Sequence, residues 1–116
     1  LSSYPMASMN PVTFGDPKGL PDDYYSRVAK HTKKPIVFTE LGWSSDEKYS
    51  GSEVSQAAFL RRFVTLTRGL DLRLVNYFFL FDSSSFGPVF ESMGLLDTTG
   101  RPKEAFQVWR QLWTGN

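Results

Sequence analysis

The sequence predicts an α/β fold built on parallel strands, and three observations carry that expectation. Apolar runs at 36–39 and 73–81 are short and nearly continuous, as in strands covered on both faces. Stretches with helical spacing of apolar residues follow them. The resulting order (strand stub, helix, strand, helix, strand, helix) implies right-handed βαβ crossovers and therefore a parallel sheet.

Leu1 to Pro5 reads as the tail of a strand, because the residue before a proline is pushed toward extended geometry. Residues 6–20, with Pro11, Gly15, Pro17 and Gly19, read as an ordered loop. A helix is expected from Pro21, a favoured first helical position, to His31, with Asp22 and Asp23 in its first turn and Lys30 in its last. The strand Ile36–Thr39 follows, then a polar loop from Leu41 to Ser50. Ser50-Gly51-Ser52-Glu53 fits a Ser-x-x-Glu capping box for a helix over 53–68, which Gly69 stops. Val54, Ala57, Ala58, Leu60, Phe63, Val64 and Leu66 give that helix a wide apolar face. The second strand is Arg73–Phe81 and a long loop covers 82–94. Asp97-Thr98-Thr99-Gly100 forms a turn, and Pro102 opens a last helix with Ala105, Phe106, Val108, Trp109, Leu112 and Trp113 as its buried stripe.

The 116 residues carry no linker or low-complexity tract, so residues 1–116 are read as one domain or one piece of a domain. A net charge of +1, with only isolated basic pairs, gives no case for nucleic acid or an anionic membrane surface. No apolar run approaches the roughly 20 residues of a membrane-spanning helix. The chain lacks cysteine, which excludes disulfides and thiolate metal sites. No His, Asp or Glu pair has metal-ligand spacing, neither Gly-rich stretch matches a phosphate loop, and no cofactor is called for. Aromatic residues reach 16%, and flat rings with polar edges suit sugar faces as well as cores.

One segment carries chemistry: Lys34-Pro35-Ile36-Val37-Phe38-Thr39-Glu40-Leu41-Gly42-Trp43-Ser44-Ser45. A buried strand has no structural use for a carboxylate, since desolvating that charge is expensive unless something pairs with it. The carboxyl ends of parallel strands, however, are where sites are built, and Glu40 lies at such an end.

Thr39-Glu40-Leu41-Gly42-Trp43 resembles the end of the nucleophile strand, the seventh, of clan A retaining glycoside hydrolases. Ser2-Ser3-Tyr4-Pro5 resembles the end of the sixth strand, and the run from Gly94 to Phe106 resembles the lead into the eighth helix. The spacing is most similar to the endo-galactanase and endo-mannanase branches. The resemblance implies the C-terminal portion of a (β/α)8 TIM barrel, from the end of strand 6 through helix 8, against about 250 residues for a complete one. It implies a polysaccharide or oligosaccharide substrate, Glu40 as nucleophile and Tyr4 as the phenol that orients it. Trp43, Phe81 and Asp82 are the expected sugar contacts.

Two departures stand out. Clan A enzymes carry a tryptophan near the end of the eighth strand, whereas Tyr77-Phe78-Phe79-Leu80-Phe81 has none. Their acid/base residue is the Glu of an Asn-Glu pair, and no Asn-Glu occurs here. Glu47 and Glu91 lie in loops on the presumed active face, where either could substitute for the missing acid, but they read more simply as solvated charge, as His31 reads as a helix-end dipole partner. Bland roles exist for the site set too: Glu40 as a loop cap, Tyr4 packing beside Pro5, Trp43 as a lid, Phe81 with Phe79 filling an interior, Asp82 capping a loop. The alternative function is a non-catalytic barrel fragment or degenerate homologue that binds carbohydrate or only assembles with other chains. A partial sheet leaves an edge and an apolar face open, expected to be formed by Ile36, Phe38, Leu74 and Phe79, which predicts a homodimer.

Overall fold

The run that ends in Glu40 becomes the centre of the sheet. In a computed structural model describing residues 1–8 and 15–114, it forms β2 (Ile36–Phe38) and β3 (Glu40–Leu41), separated only by Thr39. Strand β1 (Ser2–Ser3) pairs parallel with β3, Ser2 opposite Glu40. Strand β4 (Leu72–Val75) pairs parallel with β2 on the other side. The described residues thus form an α/β fold with a small parallel sheet of two strand pairs, β1–β3 and β2–β4, and three α-helices: α1 (Pro5–Ser8), α2 (Glu53–Thr67) and α3 (Glu104–Thr114).

Strands covered on both faces are not what forms. Ile36 and Phe38 point into the core under α2, whereas Val37 is 39% and Leu74 55% exposed. The open face is therefore built from Val37 and Leu74, while the expected Ile36, Phe38 and Phe79 are buried. A register irregularity between Ile36 and Val37 gives β4 one extra residue, Arg73, and turns Leu72 and Leu74 to opposite sides. The second strand is also shorter than expected. Beyond Val75 the chain stays tied to the centre by Asn76 N–H on the Phe38 carbonyl (2.8 Å) and Phe78 N–H on Leu41 (3.1 Å). It then receives Leu95 N–H on Phe79 and Leu96 N–H on Leu80, so the end of the predicted strand serves the following loop.

Helix α2 runs close to its predicted span, but its cap sits two residues later than expected. Ser52 and Ser55 cap each other's backbone N–H groups at 2.9 Å, while Ser50 closes a preceding 3₁₀ turn in left-handed conformation. Glu53 is consequently free to pair with Arg101. Gly69, at φ +93°, supplies the left-handed stop. Ala57, Leu60, Phe63 and Leu66 are buried as expected; Val54 is exposed, and buried Gln56 takes a place on that face.

The helix expected over 21–31 is instead a turn followed by a 3₁₀ helix, Ser26–Lys30. Its bonds are mostly i→i−3, such as Val28 N–H to Tyr25 and His31 N–H to Val28. Tertiary contacts override propensity here: Tyr25 is buried edge-on to Phe38 and Phe63, and Arg62 of α2 grips the Leu20 carbonyl and Asp22. Within 6–20, α1 and a 3₁₀ turn at Pro17–Gly19 replace simple loop, and Pro11 lies outside the described residues. Helix α3 begins two residues after Pro102, with Ala105 and Val108 buried and Trp113 half-exposed rather than covered.

Candidate functional site

Parallel pairing of β1 with β3 puts Tyr4, just beyond β1, beside Glu40. The Tyr4 hydroxyl donates to Glu40 Oε2 at 2.9 Å. Burial, then the bond to Glu40 and its negative charge, hold the Tyr4 phenol well above the ordinary tyrosine value. Tyr4 is therefore a permanently neutral donor at working pH, and it fixes one oxygen of a half-buried carboxylate.

Aromatic and sulfur groups hold that phenol in place. Phe90 meets the Tyr4 ring edge-on at 5.2 Å, and Phe79 lies at 6.0 Å from both. Gly42 is dictated by this packing: a Cβ there would lie 2.9 Å from Met93 Sδ and 3.0 Å from Tyr4 Cε1. The glycine of the Glu-Leu-Gly-Trp sequence is thus the floor on which Tyr4 rests.

Trp43 and Asp82, among the other expected site residues, have structural partners of their own. Trp43 is wholly buried, stacked 4.9 Å from Phe59 of α2, with its indole N–H on Ser55 Oγ. It fastens α2 to the carboxylate strand and offers no surface to a sugar, because its ring is the largest wholly buried side chain in the core. Asp82 Oδ1 accepts both from Gly94 N–H (2.8 Å) and from the ammonium of Lys103 (2.7 Å), so this one oxygen holds a loop together. Phe81 is half-exposed and its backbone bridges Leu96. Glu91 accepts from Tyr49 (2.8 Å) and pairs with Lys48; the Tyr49 hydroxyl and then Lys48 depress its carboxyl. Glu47 is exposed in a 3₁₀ turn, and His31 closes another. Among the described residues no group of three or more His, Cys, Asp or Glu could hold a metal ion.

Sequence reasoning missed Phe90, which meets the Tyr4 ring, and Met93, which borders Gly42 together with Tyr4, as well as Lys103 and Gln56. The Gln56 amide nitrogen reaches the carbonyls of Trp43, Met93 and Gly94 and the Tyr77 hydroxyl, all within 3.2 Å. A glutamine inside the otherwise apolar stripe of α2 was an available signal, whereas Lys103 precedes α3 and stands on no stripe; the partners of both lie far along the chain. The chain matches no protein-family model, no curated protein and no solved structure.

Proposed function

We propose that this chain is the C-terminal portion of a (β/α)8 retaining glycoside hydrolase acting on β-linked polysaccharide. Glu40 is its nucleophile. The observation that carries the reading is the Tyr4–Glu40 hydrogen bond at the carboxyl ends of two adjacent parallel strands. A neutral phenol aims one carboxylate oxygen, leaving Oε1 to attack the anomeric carbon. The bond from that carbon to the leaving oxygen breaks as the glycosyl–Glu40 ester forms. Water then hydrolyses the ester. The acid/base carboxyl, which retaining chemistry requires about 5–5.5 Å from the nucleophile, comes from outside this chain. Trp43 acts through the core, holding α2 against the Glu40 strand, rather than as a sugar platform.

The missing acid shapes the test. Unactivated galactan, mannan or β-glucan should not be turned over by the chain alone, since general acid catalysis contributes about 10²–10⁴-fold. Dinitrophenyl 2-deoxy-2-fluoroglycosides need no protonation of the leaving group, and their fluorine slows hydrolysis of the ester. Incubation with the gluco, galacto and manno forms should add one glycosyl mass at Glu40, located by peptide mapping, and Glu40→Gln should take up none. Wild-type protein that stays unlabelled by all three would sink the proposal.

A further inference from the structure

Lys103 is 2% exposed, and no step of the proposed chemistry uses it. Its ammonium donates to Asp82 Oδ1 (2.7 Å), Ser45 Oγ (2.8 Å) and the Ser92 carbonyl (3.3 Å). Three donors meet three acceptors, so the buried charge is fully satisfied. The acceptors come from separate stretches: the loop after β3, the end of the segment after β4, and the loop before α3. Ser45 gives both its N–H and its hydroxyl to the same Ser92 carbonyl at 3.0 Å, and the Ser44 and Ser92 hydroxyls meet at 2.7 Å.

The loop held by this knot is strained. Val89 has φ +63° and ψ −37°, a positive-φ conformation outside the left-handed helical well that a β-branched residue adopts only where its surroundings impose it. The next residue is Phe90, whose ring meets Tyr4, and Met93 follows Ser92 directly.

We propose that Lys103 is a positioning residue for the Glu40 site: by gripping Asp82, Ser45 and the Ser92 carbonyl it holds the strained 83–95 loop so that Phe90 and Met93 keep the Tyr4 hydroxyl on Glu40. Without the grip Val89 relaxes out of its positive-φ conformation, and Phe90 withdraws from Tyr4. The catalytic consequence rests on the glycosidase reading; the placement of Phe90 does not.

Ring-to-ring nuclear Overhauser effects read the contact without substrate. The reference is the Tyr25–Phe38 pair, 5.3 Å apart elsewhere in the core. Lys103→Met combined with Asp82→Asn removes both charges together and leaves neither buried alone. In that variant the Tyr4–Phe90 effect should vanish while the Tyr25–Phe38 effect persists, and labelling of Glu40 should slow about 10–100-fold. A Tyr4–Phe90 effect that survives unchanged in the folded double variant overturns the proposal. If both contacts are lost, the variant has unfolded and Ser45→Ala decides, because it deletes one acceptor and keeps the ion pair. There the Tyr4–Phe90 effect should weaken at least about twofold, and an unchanged effect overturns the idea. Failure to label the wild type would overturn the glycosidase reading alone.

Discussion

Tyr4, Tyr25 and Tyr77 each sit where burial is the first cause raising their phenols above the ordinary value. Their hydroxyls are each engaged: with Glu40, with Ser3 (2.7 Å) and with Gln56 (3.1 Å). The sign of the pH dependence follows. An unfolded tyrosine ionises near pH 10, and the folded ones ionise above it, so folding favours the protonated state. Their contribution is fully present below about pH 10 and is lost as pH rises through and beyond that value. Guanidinium midpoints should therefore be level from pH 8 to 9 and fall steeply above 10. Tyr25→Phe should lower the midpoint at neutral pH, through loss of a bond worth about 1 kcal/mol. It should also flatten the alkaline slope, and an unaltered slope would show that Tyr25 is not among the groups responsible.

At the scale of elements, α2 illustrates how a cap is chosen. Two serines two residues apart could each start the helix, and only Ser52 has the extended backbone and a partner, Ser55, three residues on. Ser50 sits at φ +61°, where its side chain cannot serve the helix. Ser52→Ala should cost about 1 kcal/mol, measured as a shift in urea midpoint at constant slope. Ser50→Gly should cost nothing, because glycine accepts the left-handed conformation more easily than serine. The reverse ranking would mean that the helix begins at the earlier serine.

For the molecule as a whole, the sheet has helix on one face and solvent on the other. Val37, Leu74, Phe78, Leu80 and Phe81 are each between 39% and 55% exposed. Exposed apolar area forfeits roughly 25 cal/mol per Å², against a net stability of about 5–15 kcal/mol for a small domain. The chain on its own is accordingly expected to pair, two copies covering each other's open faces about a two-fold axis. Pairing through the β4 edge is the poorer route, since Arg73 bulges there beside its ion-pair partner Asp71. Light scattering should give twice the monomer mass at micromolar concentration, and Leu74→Lys with Phe81→Lys should return the protein to monomer. A wild type that is monomeric and well folded at that concentration would refute the pairing.

What the sequence determined by itself was the local grammar. Alternating short apolar runs and helical stripes dictated an α/β fold with parallel pairing, and Gly69 dictated where α2 stops. Glu40 at a strand end announced a group whose burial needed a partner, while Tyr4, 36 residues away, was named as that partner only by the family resemblance. Such features depend on residues within a turn or two of one another, or on a charge that the strand itself cannot explain. Tertiary structure alone decided which face of each strand is covered, because the extra residue at Arg73 turns its neighbours over and no local signal marks it. It also decided that Trp43 is core, that Asp82 is a loop tie, and that Lys103 is buried. Each of those fates depends on a partner supplied 12 to 58 residues away. Period and propensity carry no information at that distance; the partner exists only once the sheet has brought its loops together.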